Sequence, residues 1–364
     1  MAFSEFYGNA EVVQHLREMQ AGDRFPHSVI LAGPRGAGKY TLAQMVAKAM
    51  NCLAPPPGGL PDFCGRCVNC TRIAEADALD LRCAEAVEAR EALRETDRKD
   101  TRLLIQTHPD VLVIPPDPPQ MMIKVDQVRH VIGSIYHRPG SGGRRVFIFT
   151  HSAFMKEAAH ALLKVLEEPP EFAVIFLLTE NPGEFLPTIR SRCMTFALAP
   201  LAAEELEEFL ARRRPEWSAA QRTLAARLSG GGAGSALDFP FAAYTAARQD
   251  ALALLRAGIE AHDHAALFRI TETYRAGAEG REKTGDLIRA LYSLLRDLTF
   301  LISGTPEQVR NQDIAAELEG MAGQISFAWL AAATQRLGEV ESGMRRNLLR
   351  NLSLDGFAAS LQEG

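Results

Sequence analysis

The sequence predicts an α/β fold with a doubly wound parallel sheet, followed by an all-helical C-terminal part. Three observations support this prediction. Short apolar runs typical of buried strands alternate with amphipathic helical runs up to residue 198. A glycine-rich turn ending in Lys39 joins the first strand to the first helix of this alternation. Beyond residue 198 the periodicity is helical throughout, interrupted by the glycine-rich stretch SGGGAGSALDF.

The individual elements follow from local patterns. Strands are predicted at HSVILA, DVLVI, RVFIFT and FAVIFLLT, because each is a short apolar run rich in β-branched or aromatic residues. Helices are predicted at VDQVRHVIGSIY and FMKEAAHALLKVLEE, where apolar residues recur every three or four positions. Residues 74–100 combine dense mixed charge with helical spacing, which indicates an exposed helical insertion without an assigned role.

Composition limits the classes of function. The chain has 364 residues, 47% of them hydrophobic, which is enough for two or three domains with cores of their own. A formal net charge of -5 argues against a surface that coats DNA. The best local basic patch is residues 136–145, for which a flexible loop with solvated charges is the favoured interpretation. No apolar run approaches the roughly 20 residues that span a bilayer, so we expect no membrane partner. The clustered cysteines are typical of a metal site in a reducing compartment, so we expect a cytoplasmic protein.

Four of the six cysteines lie close together and indicate a metal site. Cys64, Cys67 and Cys70 form a C-x2-C-x2-C motif, and Cys52 lies upstream. Four thiolates satisfy one tetrahedral Zn²⁺. An iron–sulfur cluster uses similar spacing, but its further cysteine and proline are replaced here by TRIAE, so structural zinc is favoured. A metal-free set of thiols and Cys83 as the fourth ligand remain the alternatives.

The stretch GPRGAGKYTLA, which begins at Gly33, is a degenerate phosphate-binding loop. Gly33, Gly38 and Lys39 match G-x-x-x-x-G-K-[ST], and Gly36 lets the backbone approach a phosphate. Tyr40 stands where the motif requires a short hydroxyl, and its phenol projects a whole ring too far to bind Mg²⁺ in the same way. The loop is therefore expected to hold ATP or ADP at most.

The second half of an ATPase site is also missing. After the predicted strand RVFIF come Thr150 and His151, where a hydrolase carries two carboxylates. Without them the chain has neither an acidic Mg²⁺ ligand nor a general base for water. We therefore expect no Mg²⁺ site and no ATP hydrolysis by this chain alone.

Two arginines near the end of the predicted sheet could act on a nucleotide of another subunit. The segment TIRSRC follows the strand FAVIFLLT, so Arg190 and Arg192 are predicted at one rim of the sheet. An arginine at such an edge can stabilise the transferring phosphate of a neighbouring subunit. On composition alone, an ordinary surface arginine or an internal ion pair is the favoured interpretation.

Taken together, these motifs resemble the clamp-loader branch of the AAA+ family. ALLKVLEEPP and LPTIRSRC are highly specific to these loaders, whereas the phosphate loop alone is not. The resemblance implies an AAA+ module at 1–198 with a zinc module at 52–70 and the helical insertion at 74–100. It further implies a small helical lid at 199–242 and an all-α collar at 243–364, which joins subunits into an open ring.

The same resemblance implies roles for individual residues. Ser191, Arg192 and Cys193 match the S-R-C motif, whose arginine completes the ATP site of the adjacent motor subunit. Ser235 replaces a lid arginine that senses nucleotide within its own subunit. The zinc ligands of the family match Cys52, Cys64, Cys67 and Cys70.

The departures from the family pattern all affect this chain's own nucleotide site. They predict a non-hydrolysing subunit that helps load a sliding clamp onto primed DNA during replication. The partners would be the motor subunits, the other loader subunits, the clamp and DNA, at the replisome on the nucleoid. Two alternatives remain: a DNA-stimulated ATPase motor subunit with divergent motifs, and a zinc-dependent DNA-binding regulator.

Overall fold

The computed structural model describes residues 2–140, 143–260, 271, 274, 277–345 and 350–361. The chain divides into two compact units. The first comprises Met1–Phe209 and Gly230–Ser235, and the second comprises Leu210–Ser229 and Ala236–Gly364. The expected lid at 199–242 has residues in both units, so its boundaries stay a prediction.

The first unit is built on a six-stranded sheet. Its strands are β1 (Ser28–Ala32), β2 (Ile105–His108), β3 (Val111–Ile114), β4 (Arg145–Phe149), β5 (Ala173–Thr179) and β6 (Met194–Ala197). They lie in the order β2-β3-β4-β5-β1-β6. The helices up to β6 are α1 (Ala10–Ala21), α2 (Lys39–Asn51), α3 (Val68–Ala74), α4 (Leu79–Glu91), α5 (Glu95–Asp100), α6 (Val125–Ile135), α7 (Lys156–Glu167) and α8 (Pro187–Arg190), with short 3-10 helices at Phe3–Glu5 and Pro182–Glu184.

The four predicted strands are all present, and wherever two of them pair they are parallel. The sheet departs from the predicted parallel arrangement only at the strand β2, which lies at its edge. β2 runs antiparallel to β3. Only Pro109 and Asp110 separate these two strands, and so short a connection permits a hairpin rather than a crossover. β2 and β6 were not predicted from the sequence, because neither strand is a continuous apolar run.

The sheet is buried on both faces, as a doubly wound fold requires. Successive residues of β1 alternate between two apolar clusters. Val29 and Leu31 belong to the cluster that includes Leu16 of α1 and much of α2. Ile30 belongs to the cluster formed with α6 and α7. This layering places the loop after β1 at the carboxyl edge of a rigid sheet.

The charged stretch 74–100 is helical over most of its length, since it includes α4 and α5. No residue of α4 is buried. Leu79, Cys83 and Ala86 are partly buried against the core of the first unit. The insertion is therefore an exposed helical layer with one weakly apolar side.

The rest of the described chain is helical. The helices after β6 are α9 (Ala203–Arg213), α10 (Ala219–Leu228), α11 (Ala233–Leu237), α12 (Phe241–Glu260), α13 (Gly277–Ile302), α14 (Ala315–Ala322), α15 (Phe327–Arg345) and α16 (Arg350–Ser360), with 3-10 helices at Pro306–Gln308 and Gln312–Ile314. Leu254, Leu291 and Leu337 lie in the core of the second unit. Among the described residues, no helix is long and apolar enough to cross a membrane.

Candidate functional site

The phosphate-loop sequence forms a tight turn between β1 and α2. Gly36 and Gly38 have φ angles of 74° and 86°, a left-handed conformation that favours glycine. A Cβ atom at Gly36 would lie 2.3 Å from the backbone nitrogen of Ser235. The glycines therefore allow a close approach, but the neighbour in this structure is the chain's own backbone.

Residues 232–235 are hydrogen-bonded to the loop. The backbone N–H of Gly234 donates to the carbonyl oxygen of Gly36 at 2.8 Å. The Ser235 hydroxyl donates to the carbonyl oxygen of Arg35 at 3.1 Å. Ser235 thus lies at the loop, where the resemblance implies a nucleotide-sensing arginine, but a hydroxyl supplies no positive charge for a phosphate.

Lys39 is engaged by the loop that precedes it. Its Nζ donates to the carbonyl oxygens of Gly33 at 2.7 Å and Pro34 at 2.8 Å. Burial lowers the pKa of the Lys39 ammonium, and the negative charge of Glu180 partly offsets this effect. A phosphate would have to displace these carbonyl contacts to engage the lysine.

Tyr40 has a structural role at the position of the missing hydroxyl. Its phenol donates to the carbonyl oxygen of Ala76 at 2.6 Å and accepts from Nε2 of Gln44 at 2.6 Å. Burial raises the pKa of the Tyr40 phenol, so the group is protonated and can donate at neutral pH. The side chain ties α2 to the segment that follows the cysteine-rich region.

Replacement of Tyr40 by Phe is expected to lower the free energy of unfolding by about 1–2 kcal/mol, because the amide nitrogen of buried Gln44 loses its partner. Replacement by Thr restores the phosphate-loop motif, but it should destabilise the protein further without creating ATPase activity. Thermal unfolding and an ATPase assay measure these effects. Thr41→Ala, at an exposed neighbouring hydroxyl, is the matched control and should leave the melting temperature unchanged; a stable, ATP-hydrolysing Tyr40→Thr variant would contradict this assignment.

The loop opens into a cavity of about 880 Å³, which is within the size range of nucleotide-sized ligand sites. Thr150 and His151, at the end of β4, line it together with Lys39. The inserted helix α4 lines it as well, with carboxylates at Asp80, Glu88 and Glu91. Acidic side chains in the wall oppose the binding of an anionic nucleotide. They belong to α4 and not to the strand end where an ATPase holds its metal ligands.

The four cysteines of the predicted zinc module converge. The Sγ atoms of Cys52, Cys64, Cys67 and Cys70 all lie within 4.8 Å of one another. Those of Cys52 and Cys67 are 4.0 Å apart. A tetrahedral Zn²⁺ with bonds of about 2.3 Å requires sulfur separations of about 3.8 Å. The geometry of this set therefore fits one zinc ion.

Backbone N–H groups donate hydrogen bonds to several of these sulfurs, whereas burial raises the pKa of the Cys52 and Cys70 thiols. The N–H of Cys64 donates to Sγ of Cys52 at 3.3 Å, and the N–H of Cys67 donates to Sγ of Cys64 at 3.3 Å. Hydrogen bonds from the N–H groups of Arg66 and Cys67 lower the pKa of the Cys64 thiol, although burial opposes this shift. Thiolates are the form that binds a metal.

The other two cysteines do not join this group. Within the described residues, the one cluster of three or more potential metal ligands is the set of four. Cys83 lies on α4 and lines the cavity at the phosphate loop. Burial, with the nearby charge of Asp80, raises the pKa of the Cys83 thiol. The geometry therefore favours Cys52 over Cys83 as the fourth ligand.

Arg192 lies on the surface, after α8. Its NH1 donates to the carbonyl oxygen of Thr188 at 2.9 Å. Its NH2 donates to Oε1 of Glu167 at 2.7 Å. The arginine side chain is 34% exposed and that of Glu167 is 51% exposed. Glu167 was not predicted as a partner of Arg192, although it belongs to the ALLKVLEEPP motif.

Arg192 and the phosphate loop lie at opposite ends of the paired strands β1 and β6. β6 is parallel to β1, and Met194 pairs with Val29 while Ala197 pairs with Ala32. Gly33 follows the carboxyl end of β1, whereas Arg192 precedes the amino end of β6. Three residue steps along a strand correspond to about 10 Å. The two predicted elements are thus not brought together into one site.

The two arginines at the end of the predicted basic patch are engaged within the chain. Arg144 pairs with Asp23 at 2.6 Å. The guanidinium of Arg145 lies over the ring of Phe147, 5.8 Å from its centroid. Residues 141 and 142 of the patch lie outside the described residues. These contacts do not support a free basic surface at Arg144 and Arg145.

A sheet with helices on both faces and a phosphate-loop turn after its first strand define an α/β module of the doubly wound class. Residues 8–202 match the model of the family described as "DNA polymerase III, delta subunit". The chain belongs to this family.

Several curated proteins are similar to the same region. The chain is 33% identical to the DNA polymerase III subunit delta' of Pseudomonas aeruginosa, over 56% of this chain and 53% of that protein. It is 29% identical to the delta' subunit of Bacillus subtilis, over 52% and 46%. It is 27% identical to the tau/gamma subunit of Haemophilus influenzae, over 57% and 25%. The chain thus spans about half of the length of the delta' relatives it matches and a quarter of the tau/gamma subunit.

A solved structure of a DNA polymerase III gamma subunit-related protein from Thermotoga maritima covers 96% of this chain and 98% of its own, with 16% identity and a TM-score of 0.41. This likeness is too weak to carry an argument.

Proposed function

We propose that this chain is a non-hydrolysing delta'-type subunit of the DNA polymerase III clamp loader. In this role it helps to load the sliding clamp onto primed DNA during replication. It supplies Arg192 to the ATP site of an adjacent gamma/tau motor subunit. The observation that carries the proposal is the position of Arg192, exposed at the sheet edge opposite its own degenerate phosphate loop.

The proposed chemistry is electrostatic. Phosphoryl transfer spreads negative charge over the γ-phosphate oxygens, and a guanidinium supplied in trans stabilises that charge. Arg192 would bind there through its planar set of N–H donors, as arginine does with phosphates generally. Hydrolysis would then depend on this subunit even though the nucleotide belongs to the neighbour.

The remaining sites would serve structure. Cys52, Cys64, Cys67 and Cys70 would hold a Zn²⁺ that braces the module between α2 and α3. The phosphate loop would hold ATP or ADP without hydrolysing it. Residues 243–364 would form the collar that joins this chain to the delta and gamma/tau subunits, at the replisome in the cytoplasm.

The proposal is tested with the assembled loader containing delta, gamma/tau and this chain carrying Arg192→Ala. Assembly, followed by size-exclusion chromatography, should be normal. Clamp loading onto primed DNA should be strongly reduced. A variant that assembles and loads clamps at the normal rate would contradict the trans role of Arg192.

A motor-type ATPase is the second candidate, since the similarity to gamma/tau subunits extends over a comparable length. The contacts of Lys39 with Gly33 and Pro34 and the absence of carboxylates at Thr150 and His151 argue against it. The purified chain is therefore expected to show negligible ATP turnover with or without primed DNA. Lys39→Ala should leave this background unchanged, and a gamma/tau subunit in the same assay is the positive control. Turnover that Lys39→Ala abolishes would favour the motor-type function.

A further inference from the structure

We infer that Glu167 is a positioning residue that holds the Arg192 guanidinium ready for a neighbouring phosphate. This inference rests on the proposed function and names the residue on which Arg192 depends. Its basis is the 2.7 Å hydrogen bond from NH2 of Arg192 to Oε1 of Glu167.

The location of Glu167 is unfavourable unless the carboxylate has a cationic partner. Glu167 is the last residue of α7. A negative charge in the last turn of a helix is repelled by the partial negative charge of the free carbonyl groups there. Lys164 in the same turn offsets part of this repulsion, and the group that hydrogen-bonds to the carboxylate is Arg192, which lies 25 positions away in the sequence.

Two anchors restrict the guanidinium better than one. The bond from NH1 to Thr188 comes from within the arginine's own local segment. The bond to Glu167 comes from a separate helix of the rigid sheet module. Ordering a long side chain before it meets its ligand reduces the entropy lost in the productive complex. Glu167 would therefore act through Arg192 and not on the phosphate itself.

The two bonds leave the guanidinium able to bind an anion. An arginine carries five N–H donors. Thr188 and Glu167 engage one donor each on NH1 and NH2, so donors remain for phosphate oxygens. An arginine that acts in trans requires a guanidinium whose orientation is fixed but whose N–H donors are not all occupied.

The test uses the assembled loader with Glu167→Ala, Glu167→Gln and the control Glu168→Ala. Glu168 is the adjacent exposed carboxylate. We expect Glu167→Ala to lower the clamp-loading rate at saturating ATP about fivefold, the effect of one exposed ion pair. The ATP concentration that gives half-maximal rate should not change. Glu167→Gln should retain most of the activity, because its amide oxygen still accepts from NH2, and Glu168→Ala should be normal.

A double variant separates positioning from folding. If Glu167 acts through Arg192, Glu167→Ala should cause no further loss in an Arg192→Ala background. A loss that persists in that background would assign Glu167 to the fold instead. Faster loading by Glu167→Ala would show that the carboxylate competes with the phosphate.

Different results would contradict the trans role of Arg192 and the positioning role of Glu167. If Arg192→Ala loads clamps normally, the trans role of Arg192 is wrong and the positioning role falls with it. If Arg192→Ala is impaired but Glu167→Ala is normal, only the positioning role is wrong.

Discussion

Replacement of Arg192 by alanine is expected to slow ATP hydrolysis at the adjacent motor site by about 1,000-fold, within the range for arginines supplied in trans. The fold should be little affected. The residue is partly exposed, and its contacts are one backbone carbonyl and the exposed carboxylate of Glu167. An exposed ion pair contributes at most about 1 kcal/mol to stability. Loss of activity without loss of assembly is therefore the expected result.

The measurement has to separate one site from the others. Total ATP turnover by the loader should fall only by the fraction that the motor site served by Arg192 contributes. The rate of clamp loading should fall by as much as loading depends on hydrolysis at that site. Arg192→Lys retains the charge but loses the planar arrangement of donors, so it should be intermediate. Arg190→Ala, at an exposed arginine nearby, is the matched control and should be normal. Equal losses in the Arg190 and Arg192 variants would contradict a specific trans contact.

Replacement of any one of Cys52, Cys64, Cys67 and Cys70 by serine is expected to abolish the binding of one zinc ion per chain and to lower the melting temperature markedly. Structural zinc contributes about 10–16 kcal/mol of apparent binding free energy in small zinc peptides at neutral pH. The loss should reach the core of the first unit, because Phe63 and Cys70 of this module, and Ile73 directly after it, are buried in that core. Thermal unfolding before and after treatment with a chelator measures this contribution.

Metal analysis of the purified chain provides the direct test. We expect a stoichiometry of one zinc, retained by Cys83→Ser and Cys193→Ser, since neither residue joins the cluster of four sulfurs within the described part of the chain. Acidification should release the metal, because protonation of the thiolates competes with it. Iron with the visible absorption of an iron–sulfur cluster, or a metal-free chain of unchanged stability, would contradict the assignment.

The sequence by itself determined the strands, helices and motifs that depend on residues close together in the chain. Four strands were predicted because they are continuous apolar runs, and α6 and α7 were predicted because their apolar residues have helical spacing. The four cysteines could also be grouped from the sequence, since their spacing is typical of a metal site. The structure confirms that their sulfurs lie together. The zinc itself and the trans role of Arg192 stay predictions.

Only the tertiary structure decided the contacts between remote residues. Tyr40 binds a carbonyl 36 positions away, and Ser235 binds one 200 positions away. β2 and β6 exist because the sheet supplies partners for short strands that lack an apolar run of their own. Periodicity records which face of an element is buried but not what covers it. The pairing of Glu167 with Arg192 could therefore emerge only once packing had brought the end of α7 beside the residue that precedes β6.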